Sequence, residues 1–270
     1  MVIEDIDNLI KWLLKFDSGW AFRGQTKDWP LEPNISRILP PDYPNARAVT
    51  TEMTLMGNFR AAARHYSTGE DVPSSNFSWV SLMQHYGGAT RLLDFTSIPM
   101  VGLFFAFDGV VSDEGSSVIW AYNYREINKR SIQILKDIKP KFDWTYEKFK
   151  EDRDDFFDHM IFGDTSDTIW ITEPSYYNLR LLRQGGTFLI KGNIAKPSET
   201  IFTEKYSDSW REKIEIPHSL RSEVIDLLNK CGMSNQSIYP GLEGLAKDVK
   251  SKLIQSSKKA AIAAARSGSK

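Results

Sequence analysis

Apolar residues recur at three- and four-residue spacing in some stretches of this chain and alternate with polar ones in others. Ile6, Leu9, Ile10, Leu13 and Phe16, behind Asp5 and Asp7, predict a first helix with one apolar face. Val49, Met53, Met56, Phe59, Ala63 and Tyr66 predict a second over about 46–66. Between them DWPLEPNISRILPPDYP carries five prolines, which sustain neither helix nor central strand, and an ordered surface loop is expected. NFSWVSLMQHY predicts a short helix closed by Gly87 and Gly88, and ATRLLDF a brief extended piece. Thr96 is then the expected N-cap of a helix beginning near Ser97, with Pro99 tolerated in its first turn. That helix, IPMVGLFFAF, is apolar all round and belongs in the interior; at about half a bilayer span it is not a membrane segment.

Downstream, SSVIWAYN, DTIWIT, GTFLIKG and EKIEIP are short β-branched or aromatic runs with turn boundaries, the pattern of strands. The charged and aromatic stretch near 130–165 predicts a helical insertion, and HSLRSEVIDLLNKCGM and GLEGLAKDVKSKLIQ predict two further helices. With no repeats and no regular strand-helix alternation, a doubly wound parallel sheet is not expected. The expected fold is α+β: a single mixed domain over 1–250 with a central, largely antiparallel or mixed sheet, helices packed around it, one fully apolar buried helix, and a basic, flexible tail over 251–270.

Composition changes this picture little. A chain of 270 residues with 41% hydrophobic and 26% charged residues fits one large globular domain, and the net charge of -1 gives no general pull toward nucleic acid or membrane. An anionic partner therefore needs a local patch. The lone Cys231 excludes an internal disulfide and a cysteine-rich zinc site and fits a reducing compartment; the N-terminus lacks the basic start and small-residue cleavage site of a signal peptide, so a cytoplasmic location is expected. No phosphate loop, dinucleotide turn or GxSxG elbow occurs, and His65, His85, His159 and His218 have no partner at metal-ligand spacing, so no metal is expected. The acidic run EDRDDFFDHM reads as a solvated helix face or as paired carboxylates, and the basic tail as a solubilising end or a phosphate contact.

Three polar clusters stand in apolar surroundings: FRGQ, QHYGGATRLLDFT and LRQGGTFLI. Each sets a polar group beside a glycine, where a ligand or a neighbouring element can approach closely. Strand period puts Ala21, Arg23 and Gln25 on one face, with Phe22 and Gly24 on the other. Arg23 is either the rigid fork that holds a phosphate or ribose, or the partner of a buried carboxylate, for which Asp94 is the candidate. The same period separates Thr90, Leu92 and Asp94 from Arg91 and Leu93, so Arg91 and Asp94 each need a partner from elsewhere. Asp94 also suits the positive end of the buried helix. His85 and Tyr86, closing their helix at Gly87, stand where side chains often look into a cleft, His85 as an acid-base group or as a structural cap.

At these clusters the chain resembles the FRG domain, a bacterial and phage family named for the tripeptide that stands here as Phe22-Arg23-Gly24. QHYGGATRLLDFTSIPMVGLFFAF follows the family's second block closely, departing at Ala89, where proline is usual, at Phe95, where tryptophan is usual, and at Ile98, where asparagine is usual. RQGGTF and SIYPGLEGLAKDV are also similar to the family, so the resemblance runs from about 18 to 248. It implies toxin-like or phage-defence contexts, with an antitoxin as a possible partner, and an ADP-ribosyltransferase-like fold and activity. On that implication NAD lies across Arg23, Gly24, Gln25 and the turn formed by His85, Tyr86 and Gly87, with Thr90, Arg91 and Asp94 completing the pocket. Arg23, His85 and Gln184 take the catalytic places, and ADP-ribose passes to a nucleic acid or protein. A glutamate at position 184 would be the stronger stabiliser of a cation-like transition state, so the neutral Gln184 keeps open a second reading: a module that binds a nucleotide, nucleic acid or protein without turnover.

Overall fold

The computed structural model describes residues 1–63, 65–66, 72–176 and 178–253; most of the predicted tail over 251–270 lies outside the described residues. Six strands form one antiparallel sheet in the order β4-β5-β2-β1-β3-β6: β1 Trp20–Gln25, β2 Leu92–Thr96, β3 Ser116–Asn123, β4 Ile169–Thr172, β5 Gly186–Lys191 and β6 Arg211–Pro217. The helices around it are α1 Ile6–Leu14, α2 Asn34–Ile38, α3 Asn45–Ala63, α4 Asn76–His85, α5 Pro99–Phe107, α6 Tyr124–Ile138, α7 Tyr146–Glu151, α8 Arg153–Phe156, α9 Leu179–Arg183, α10 Ser198–Lys205, α11 Arg221–Lys230 and α12 Asn235–Ile238; residues 241–253 are also helical. This is the mixed α+β domain that the pattern predicts, and α5 is its apolar buried helix. The stretch near 130–165 is largely helical, built from the end of α6 with α7, α8 and the π-helical turn Phe157–Ile161.

Register assigns the faces. Phe22 pairs Thr96, Asp94 pairs Phe188, and Leu92 and Trp170 both pair Ile190, so all of these point to the same side. Two separate cores cover that side. One gathers α1, α5, α11 and α12 over Phe22, Ile119 and Ile214, and the other gathers α4, α7 and α8 over Leu92, Trp170, Phe188 and Ile190. The opposite side carries a single core in which Ala21, Leu93, Phe95 and Tyr122 meet Ile127 of α6 and Phe202 of α10. Asp94 therefore lies on a strip between two cores.

β1 and β2 explain the strip. Their ladder has one pair, Phe22 with Thr96, whereas β1 and β3 pair over six positions. α5 lies against β1 so closely that a Cβ on Gly24 would sit 1.9 Å from the carbonyl oxygen of Gly102 and 2.5 Å from the amide nitrogen of Ala106. The glycine of the tripeptide thus admits a helix backbone.

The structure corrects three expectations. The proline-rich segment holds a short helix, α2, started at Pro33 and ended before Pro40, because Ile35 buries against Ala48, Val49 and Ile194. The N-cap of α5 is Ile98; Thr96, two residues earlier, accepts from the Ile98 amide (3.0 Å) and donates to the carbonyl of Gln184 (2.6 Å), so its hydroxyl ties the end of β2 to the RQGG turn. The second helix ends at Ala63, and Met53 is exposed while Glu52 is wholly buried. Glu52 is inside because Arg91 is: its carboxylate accepts from the Arg91 amide (2.6 Å) and Nε (2.5 Å). The guanidinium also donates to the carbonyls of Ile161 and Phe162, both at 2.9 Å.

Two outcomes are expected. Arg91→Leu leaves Glu52 buried and unpaired and should lower the unfolding free energy by about 3–5 kcal/mol in urea titration, with Glu52→Met in the same chain recovering much of the loss. Gly24→Ala forces α5 off β1 and should lower it by about 1–3 kcal/mol in the same measurement.

Candidate functional site

Where β1 and β2 part, Arg23 enters from the opposite face of the sheet and its Nη1 donates to the backbone carbonyl of Asp94 (2.6 Å). A cavity of about 410 Å3 opens there, within the roughly 300–1,000 Å3 of small-molecule sites. Arg23, Gly24 and Gln25 form one wall, Gln84, His85, Gly87 and Asp94 a second, and Arg180, Leu181 and Gln184 a third. Rings of Phe22, Trp29, Phe95, Phe105 and Phe188 supply apolar surface. The three polar clusters of the sequence thus converge, through Arg23, Gln25, His85, Asp94 and Gln184.

Each wall is held by its own local chemistry. Ser75 caps α4, and the Asp158 carboxylate accepts from the amides of Asn76 (2.9 Å) and Phe77 (3.0 Å). At its other end Gly87 takes φ 86°, a left-handed turn that glycine adopts without strain. That turn aims Gln84 and His85 at the cavity and leaves Tyr86 exposed outside it. Gln84 donates to the Asp94 carboxylate (2.8 Å) and accepts from the Thr90 hydroxyl, so Asp94 is held in place through a side chain that is itself anchored. Thr90 lies behind this wall, fully buried.

The third wall is braced from the C-terminal part of the chain. Gly185 takes φ 51° and its carbonyl accepts from the Ser97 amide (2.8 Å). Behind it, Gln184 Nε2 donates to the Ile238 carbonyl (3.4 Å) and Arg183 to that of Gln236 (3.0 Å). Arg180 stacks over the Tyr239 ring at 5.2 Å, and Tyr239 donates to Asp108 (2.7 Å). The late motif SIYPG therefore buttresses the cavity.

Two polar atoms in the first wall lack protein partners among the described residues: Arg23 Nε and Gln25 Oε1 are buried and make no hydrogen bond. Burial pushes the Arg23 guanidinium below the ordinary arginine range, Asp94 opposing the shift and Arg37 adding to it. Arg23 and the Asp94 carboxylate form no ion pair; they share the opening, the cation on the carbonyl and the carboxylate on Gln84.

Arg91 lies away from the cavity, its guanidinium committed to Glu52 and backbone carbonyls. Sequence reasoning passed over Trp29, Asn178 and Arg180, which line the cavity. Arg180 was findable, because it stands four residues before Gln184 in the same short segment; Trp29 was not, since only the parted strands bring its loop to the opening. Among the described residues no group of three or more His, Cys, Asp or Glu is placed to hold a metal, and no helix is long and apolar enough to cross a membrane.

Comparison with known proteins finds no matching curated protein and no matching solved structure. One family model matches, over residues 18–114, the span that carries β1, the QHYGG turn, β2 and α5. The RQGG and SIYPG segments, which complete the cavity, lie beyond it. Over residues 18–114, therefore, this chain is similar to the FRG domain family.

Proposed function

We propose that the cavity between β1 and β2 holds a nucleotide such as NAD, and that the protein transfers ADP-ribose from it to a nucleic-acid or protein acceptor in a toxin-like or phage-defence setting. The observation that carries this reading is the pair of buried, unsatisfied atoms, Arg23 Nε and Gln25 Oε1, in the wall of a cavity with aromatic sides. An unpaired buried polar group destabilises a protein by about 1–3 kcal/mol, and a ligand carrying both a donor and an acceptor satisfies the two together.

The roles follow from charge. Arg23 and Arg180 are the cations lining the cavity and suit the pyrophosphate, for which the planar guanidinium provides paired donors. Trp29 and Phe105 offer faces for a base or nicotinamide ring. Asp94 stabilises positive charge that develops at the ribose carbon as its bond to nicotinamide breaks. Nicotinamide takes the bonding electron pair and leaves neutral, the acceptor oxygen forms the new bond, and His85 receives the acceptor's proton. Gln184, whose Nε2 donates to the Ile238 carbonyl, positions the acceptor through its amide oxygen. A second reading, binding without turnover, draws support from the neutrality of Gln184 and from the engagement of Asp94 by Gln84.

Calorimetric titration with NAD, combined with chromatographic detection of free nicotinamide, tests both. Wild type should bind NAD, Arg23→Ala should weaken binding by about tenfold or more, and Asp94→Asn should slow nicotinamide release by about 100-fold with binding little changed. Binding without release selects the second reading. A wild type that neither binds NAD nor releases nicotinamide contradicts the proposal.

A further inference from the structure

A second cavity, of about 540 Å3, lies on the other side of the RQGG turn, whose Gly185 and Gly186 line it while Gln184 faces the first. Helix-borne side chains make one of its walls. Tyr124, Tyr146 and Phe149 present rings, and Arg125, Lys150 and Arg153 present cations. Glu173 is the only carboxylate among the residues that line it, and Arg153 is already bound to it. Arg125 stands 3.7 Å from Asp17, while Lys150 forms no ion pair among the described residues and lies 5.5 Å from the centre of the Tyr146 ring. The cavity is therefore net positive with one cation uncommitted.

The strand ends that face it carry hydroxyls: Ser97 after β2, Thr172 at the end of β4 on the side of Phe188, and Thr187 in β5 on the opposite side of the sheet, that of Phe95. Thr172 is 3% exposed and its Oγ1 is buried with no hydrogen-bond partner among the described residues. An aliphatic residue of the same shape would serve packing there without the penalty of an unmet hydroxyl. Asn128 also borders the cavity, but its amide is spent on the backbone of β4, donating to the Ile171 carbonyl (2.8 Å) and accepting from the Ile171 amide (2.9 Å). It has no amide edge left to read a base. Burial holds the Tyr124 and Tyr146 hydroxyls above the ordinary tyrosine range, and that of Tyr124 donates to the Ser18 carbonyl (2.6 Å).

We propose that this second cavity binds a nucleoside 5′-phosphate, with Lys150 and Arg125 on the phosphate, Thr172 on a ribose hydroxyl, and the Tyr146 ring against the base. Stacking fixes the plane of the base and not its identity, so all four common bases are accepted. The ligand is either a free nucleotide or the 5′-phosphorylated end of a strand, which present the same chemistry. The site is independent of how the first cavity is used.

Isothermal titration with AMP, with adenosine, with inorganic phosphate and with a 5′-phosphorylated tetranucleotide tests this. AMP should bind at one site per chain, with adenosine and phosphate each weaker by about tenfold or more, since either lacks half of the contacts. Lys150→Glu, at an exposed side chain, should weaken AMP by about tenfold or more, and the isosteric Thr172→Val by about threefold or more, with unchanged circular dichroism. A tetranucleotide that binds more tightly than AMP and responds to the same two variants identifies a strand end as the ligand; equal binding identifies the free nucleotide. The proposal is overturned if neither AMP nor the tetranucleotide binds, or if binding is unchanged in both variants. It is overturned as well if AMP binding is lost in Arg180→Ala and kept in Lys150→Glu, which locates it in the first cavity.

Discussion

The contact between α5 and β1 is the constraint on which the rest depends. The backbone of Gly102 and Ala106 presses on Gly24 at a distance no side chain tolerates, and on the same strand the ladder to β2 shrinks to the single pair Phe22 with Thr96. The parting of β1 from β2 leaves backbone groups of both strands without ladder partners, and such groups must be met by side chains, solvent or a ligand. Arg23 meets one of them, the carbonyl of Asp94, and in doing so crosses from one face of the sheet to the other. One face therefore carries two cores with a polar strip between them, and the strip is the floor of the cavity.

The two arginines of the motifs show how unlike roles grow from similar surroundings. Arg91, one residue before β2, meets a carboxylate and several carbonyls in the interior, an arrangement that fastens α3 to the sheet and to the chain near Phe162. Arg23 keeps a buried Nε with no partner among the described residues. A completed network contributes to stability and specificity of packing; the incomplete one at the cavity wall is what the proposed binding role rests on.

Much of the fold is legible in the chain because its elements are locally consistent. β3, β4, β5 and β6 fall on the β-branched and aromatic runs, and α5 on the all-apolar stretch, because local propensity and burial agree there. What escaped was set by tertiary partners. The spacing of Met53, Met56 and Phe59 suggests a face for α3 that Glu52 displaces, because a buried Arg91 needs a carboxylate more than the core needs Met53. Prolines at 30, 33, 40, 41 and 44 hide a helix short enough to fit between them. At the site, alternation along β1 separates Arg23 and Gln25 from Phe22 and Gly24, whereas Trp29 and Arg180 arrive from a loop and a five-residue helix with no periodic signal.

The central claim is that the parted strands form a receptor whose unmet groups are Arg23 Nε and Gln25 Oε1. Nitrogen-15 NMR of the arginine Nε–H and glutamine side-chain amide resonances during titration with NAD reads those two residues directly. The account predicts that the Arg23 Nε–H signal moves downfield and becomes protected from solvent exchange, with the Gln25 amide shifting at the same NAD concentration, while Arg91 Nε–H stays where it is. Saturation with NAD that leaves Arg23 and Gln25 unmoved would contradict it.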